Sequence, residues 1–138
     1  MPVKTTGARG TMRALIYDDD EDLAQECAEA LERRGFKART RDGRTDFSSL
    51  IAGFEPDLIL LDVHMPMFNG FEALQVLAET PRKTEIRVIM MSGARDNLLQ
   101  AGTSLCEAHN IRLLGTLAKP FTLAELDGLL AGPAIAKT

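Results

Sequence analysis

Leu58-Ile59-Leu60-Leu61-Asp62-Val63 is the stretch on which the fold turns. Its one acid apart, it is apolar at odd and even positions alike, the pattern of a central parallel strand covered by helices on both faces. On either side the same strand-then-helix unit recurs. Toward the N-terminus, Met12 to Tyr17 forms a short apolar run that ends in acids, and Leu23, Cys27, Ala30 and Leu31 then fall on one helical stripe closed by Gly35 as a C-cap. Phe36 to Thr40 alternates as a strand, and Asp46 to Ala52 makes a short helix bearing Phe47, Leu50 and Ile51. Toward the C-terminus, the Met65-Pro66-Met67-Phe68-Asn69-Gly70 segment reads as a turn with Gly where positive φ is needed. A helix over residues 71–79 turns Phe71, Leu74, Leu77 and Ala78 inward, and Arg87 to Met91 is a fourth strand. A longer helix, Asn97 to His109, places Leu98, Ala101, Leu105 and Ala108 on its apolar side, with His109 at its end. Ile111 to Leu117 is the fifth strand, and Thr122 to Glu125 has capping-box form for a last helix ending near Leu130.

This alternation specifies an α/β domain with a parallel sheet, right-handed crossovers and one core. The 138 residues hold one domain over 12–131, with a flexible arm at 1–11 and a tail at 132–138. A formal charge of −4, with the sixteen basic residues spread along the chain, argues against direct nucleic-acid binding. No apolar run reaches the roughly 18 residues of a membrane span, and MPVKTTGARG has no signal-peptide core, so a cytoplasmic protein is expected. Cys27 and Cys106 lie far apart in apolar helical patterns and read as small core residues.

In open parallel sheets ligands sit beyond the carboxyl ends of the strands, and the chemistry-bearing residues fall there. Strand one ends in Asp18-Asp19-Asp20-Glu21-Asp22, strand three in Asp62, strand four in Ser92, and strand five leads into Lys119-Pro120. A carboxylate at the mouth of a buried strand needs a cation, and neighbouring Asp18 and Asp19 deepen that need by repulsion. Mg²⁺ suits such a set of hard oxygens, and Lys119 adds a second positive charge. A metal, a lysine and the Ser92 hydroxyl converging on Asp62 would suit in-line phosphoryl transfer onto that carboxylate. Asp20, Glu21 and Asp22 serve equally well as acids favoured at a helix N-terminus.

The same residues carry a family resemblance. LIYDDDED, PDLILLDVHMPMFNG, VIMMSG and LAKPF, spread from about Met12 to Leu130, together resemble the receiver domains of response regulators in two-component signalling. That resemblance implies a flavodoxin-like (βα)5 doubly wound sandwich with strand order 2-1-3-4-5. It makes Asp62 both the phosphoacceptor and a Mg²⁺ ligand, with Asp19 as the direct metal ligand, Asp18 as its partner and the His64 backbone carbonyl completing the metal shell. Ser92 and Lys119 then contact the phosphoryl group, and the bond from Lys119 to Pro120 is often cis in the family. The implied partners are a sensor histidine kinase or histidine phosphotransfer protein as donor, and an unidentified output protein or C-terminal domain as receiver of the signal. A homodimer through the face of the fourth helix, fifth strand and fifth helix is a further partner the resemblance allows. The protein is expected to be a switch and not an enzyme, promoting only its own phosphorylation and dephosphorylation.

Two positions depart from the family pattern. Thr116 stands where a Tyr or Phe usually accompanies Ser92 in switching, and the stretch from Ser92 to Lys119 is about five residues longer than in common receivers. This long form resembles receivers joined to cyclic-diguanylate phosphodiesterase domains. Other readings of the acids are an aspartate-nucleophile phosphatase, which wants a second acid where His64 stands, and a phosphorylation-independent interaction domain. Nucleotide binding lacks a Gly-rich loop after strand one.

Overall fold

The computed structural model describes residues 11–42, 44–65, 68–93 and 98–131, and for 64, 65, 68–70, 98 and 99 the backbone alone. The arm at 1–10, the tail at 132–138, the turn residues 66 and 67, the His64 side chain and Asn97 lie outside that description.

The chain runs β1 (Arg13–Tyr17), α1 (Glu21–Arg33), β2 (Lys37–Thr40), α2 (Phe47–Phe54), β3 (Leu58–Asp62), α3 (Gly70–Ala78), β4 (Arg87–Gly93), α4 (Leu98–His109), β5 (Arg112–Lys119) and α5 (Leu123–Leu130). The five strands form one parallel sheet in the order β2-β1-β3-β4-β5. A two-residue antiparallel ladder, His64–Met65 against Phe68–Asn69, follows β3 and takes up most of the stretch expected as a turn, and Gly70, expected there at positive φ, is instead the first residue of α3.

β3 is central, and every residue from Leu58 to Val63 is buried. Side-chain alternation divides the apolar residues between two layers. Leu15, Tyr17, Ile59, Leu61, Val88 and Met90 pack with α2, α3 and α4. Ala14, Ile16, Leu58, Leu60, Ile89 and Met91 pack with α1 and α5.

The helix ends follow local chemistry. The Asp20, Asp46 and Thr122 side chains accept hydrogen bonds from Leu23, Ser49 and Glu125 N–H as N-caps, and Thr122 with Glu125 closes the expected capping box. At the end of α1 the N–H groups of Gly35 and Phe36 donate to the carbonyls of Glu32 and Leu31. This pairing needs a left-handed residue just past the cap Arg34, and Gly35 takes φ +97°. Asn110, at φ 59°, ends α4 in the same way.

The structure corrects the apolar stripe expected on α4. Ala101 and Ala108 are exposed, whereas Gly102 and Cys106 are buried, with Leu105 packed partly against the core. Gly102 meets β4 closely: a Cβ there would lie 2.6 Å from Met90 Sδ. The helix therefore turns its smallest residue to the sheet, a choice invisible to a hydrophobic pattern because glycine adds little apolar signal. β4 and β5 also run two residues past their expected ends, to Gly93 and Lys119. Between them the register slips at Val88/Ile89, where β5 carries Leu114 as an extra residue, a β-bulge.

Opposite the carboxyl edge a buried ion pair ties loop to sheet. Asp57, 2% exposed, accepts a hydrogen bond from Arg13 N–H at 2.8 Å and pairs with Arg82 Nη2 at 2.9 Å. Arg82 also donates to the Pro56 carbonyl. Replacing Arg82 with Met removes the hydrogen-bonded cation from the buried carboxylate, leaving it the weaker attraction of Arg87, and should cost about 2 kcal/mol, less than for a fully buried pair because Arg82 is partly exposed. Urea unfolding of Arg82→Met measures this loss, and an unchanged midpoint would contradict it.

Candidate functional site

The sheet order sets β1 and β4 on either side of β3, so the ends of all three strands meet. Asp18 follows β1, Asp62 ends β3, and Ser92 lies next to last in β4; all three are buried, at 1%, 3% and 0% exposure. One carboxylate oxygen from each of Asp18, Asp19 and Asp62 lies within 4.8 Å of the others, with Asp19 exposed to solvent. The backbone explains why Asp18 turns inward. Its Oδ1 accepts the Asp20 N–H at 2.9 Å, fixing the step from strand into helix, while Asp20 faces α1 as its N-cap. Asp20 is therefore a capping residue, and Glu21 and Asp22 occupy the first helical turn, where the helix dipole favours acids.

Lys119, delivered by the end of β5, reaches over the acids. Its Nζ stands 2.8 Å from Asp18 Oδ2 and 3.0 Å from Asp62 Oδ2, to which it donates a hydrogen bond. Burial disfavours the ammonium ion, but its hydrogen bonds and attraction to Asp18 and Asp62 outweigh that, and the Lys119 pKa is raised above its ordinary value. The lysine stays charged across the physiological range. The bond from Lys119 to Pro120 is cis.

Thr116 sits on β5 opposite Met90 and is exposed, so the ring position of the family pattern carries a small side chain facing solvent. Cys27 lies buried behind Asp18, where desolvation, then the charges of Asp18 and Glu26, push its thiol up to about 11 against the opposing pull of Lys119. It is an unreactive core residue, as is Cys106, raised to about 11 mainly by burial. An open cleft runs from solvent to Lys119 between Asp20, Leu23 and Glu26 of the α1 end and Pro120 and Phe121. The sequence reading missed this cleft, since its two walls are about a hundred residues apart.

The family model described as response regulator receiver domain matches residues 14–131, and the chain belongs to that family. Curated relatives include the regulatory protein AtoC of Escherichia coli, 29% identical over 83% of this chain and 23% of that protein. The response regulator MprA of Mycobacterium avium is 30% identical over 83% of this chain and 47% of its own length. The chain thus spans less than half the length of these relatives. Among solved structures, the non-phosphorylated HemR receiver domain of Leptospira biflexa superposes with a TM-score of 0.70 at 23% identity, covering 93% of this chain and 97% of that one. The chemotaxis response regulator CheY4 of Vibrio cholerae gives 0.65 at 22% identity, covering 87% and 99%. These likenesses establish the CheY-like fold that the strand order displays.

The donor set fits a hard divalent cation. Three carboxylates converge and one lysine answers them, which leaves local negative charge and oxygen donors suited to Mg²⁺. Mg²⁺ at about a hundredfold its dissociation constant should then stabilise the fold by roughly 2.7 kcal/mol. Chemical unfolding with Mg²⁺ or EDTA reads the difference. It should shrink sharply in Asp19→Asn, whose exposed side chain contributes little to the core; an equal gain in that variant would exclude Asp19 as a ligand.

Proposed function

We propose that the chain is a phosphorylation-controlled switch that accepts a phosphoryl group on Asp62 from a histidine kinase or histidine phosphotransfer protein. The observation that carries this reading is the meeting of Asp18, Asp19 and Asp62 under a single lysine at the carboxyl edge of the sheet. In the proposed step an Asp62 carboxylate oxygen forms a bond to phosphorus, the bond to the donor nitrogen breaks, and its electron pair leaves with the donor. Lys119 exchanges part of its contact with Asp62 for the incoming phosphoryl oxygens, and the Ser92 hydroxyl lies one strand away to donate to another. Asp18 and Asp19, with the His64 carbonyl, would hold Mg²⁺, which when bound supplies positive charge to the phosphoryl oxygens. The cleft beside Lys119 gives a donor its approach from solvent.

The activity is a single-site switch without an external turnover substrate, working in the cytoplasm; among the described residues no helix is long and apolar enough to cross a membrane. The signal leaves through altered affinity of the face made by α4, β5 and α5 for an output protein or domain. With Thr116 in place of a ring, that change is carried by the Ser92 side of β4 and its contact with α4 through Met90 and Gly102. Incubation of the full chain with Mg²⁺ and acetyl phosphate, followed by intact mass, should show one added phosphoryl group that is absent in Asp62→Asn and in EDTA. Absence of the adduct in the unaltered chain would overturn the proposal.

A further inference from the structure

The basic residues are not evenly spread along the chain. Six of the sixteen, Arg33, Arg34, Lys37, Arg39, Arg41 and Arg44, fall within twelve consecutive residues around β2. Among the described residues β2 is an outer strand, paired with β1 alone. Lys37, Arg39 and Arg41 alternate along it and so share one face. Two of them are held in place by aromatic rings: the Arg39 guanidinium lies 5.9 Å from the Phe54 ring centre, and that of Arg41 5.7 Å from the Tyr17 ring centre. Lys37 and Arg39 are exposed. Among the described residues neither Lys37 nor Arg41 has an acidic partner, and Arg41 Nε, buried, has no hydrogen-bond partner. Arg39 has only an exposed contact with Asp42, at 3.7 Å.

The backbone of the same strand is open. Lys37 N–H donates to the Met12 carbonyl and Arg41 N–H to the Ile16 carbonyl, so these alternate residues face β1. Parallel pairing then directs the N–H and C=O groups of Ala38 and Thr40 away from the sheet. Charges on such an edge discourage pairing, through desolvation where the incoming strand is neutral and repulsion where it is basic, but they attract an acidic strand. We propose that the β2 edge is a docking site for an acidic segment of a partner protein. That segment adds as a sixth strand, hydrogen-bonded at Ala38 and Thr40, with carboxylates at alternate positions opposite Lys37, Arg39 and Arg41. The alternation, at about 7 Å per two residues, matches an extended peptide. Nothing in the proposal requires Asp62 to be phosphorylated, since the acidic cluster lies at the strand ends and the docking groups lie along the edge.

The test uses the full chain and three probes: a five-residue blocked peptide alternating glutamate and valine, the same composition with its glutamates contiguous, and a ten-nucleotide oligothymidylate. Amide NMR titration should show the alternating peptide shifting and slowing exchange at the Ala38 and Thr40 N–H groups. Lys37→Gln with Arg39→Gln should weaken it about five- to tenfold, and Lys37→Gln alone by a smaller factor with the fold unchanged by circular dichroism. Equal binding of the contiguous peptide would reduce the surface to unpatterned charge and overturn the strand-addition proposal. Tighter binding of the oligonucleotide would assign the edge to nucleic acid instead. If no probe shifts these amides and the double variant self-associates, the charges guard the edge and dock nothing.

Discussion

Burial of two carboxylates beneath one ammonium group is the constraint around which the carboxyl edge is arranged. Asp18 and Asp62 are almost without solvent, and an uncompensated ion in such a place costs several kcal/mol. Lys119 stands within 3.0 Å of both, and it can do so only because β5 runs its full length to the site before the chain turns into α5. Asp19 adds a third acid, exposed to solvent, beside the two that the lysine meets. The site therefore keeps a net negative charge that a further cation would offset.

The rest of the fold delivers those groups. A parallel sheet brings every strand's carboxyl end to one edge, and the order β2-β1-β3-β4-β5 places the acids of β1 and β3 side by side with Ser92 as the next neighbour. At the opposite edge the pair of Asp57 and Arg82 fixes the entry into β3. One edge is thus held by an acid paired with an arginine, and the other gathers Asp18, Asp19 and Asp62 about a single lysine.

Most of this was legible in the chain. The apolar run of β3 announced a covered strand, the recurring strand and helix units announced a parallel sheet, and acids or hydroxyls at strand ends announced the site. Asp20 was ambiguous in sequence because a helix N-cap and a metal ligand ask for the same side chain; only the hydrogen bond from Leu23 N–H assigns it. The face of α4 was misread because the contact with Met90 is made by a glycine, whose value lies in its lack of a side chain. The bulge at Leu114 and the clamp of Asp57 depend on partners far away in the chain, which local patterns do not encode.

Asp62, and no other acid of the cluster, is the proposed acceptor on which the site converges. A crystal structure of the full chain grown with Mg²⁺ and beryllofluoride tests it most directly. Beryllium is expected on an Asp62 oxygen, with a metal ion held by Asp19 and Asp18, and Lys119 Nζ and Ser92 Oγ within hydrogen-bond distance of fluorines. Beryllofluoride on Asp18 or Asp19, or a metal bound while Asp62 stays paired with Lys119 and unmodified, would contradict it.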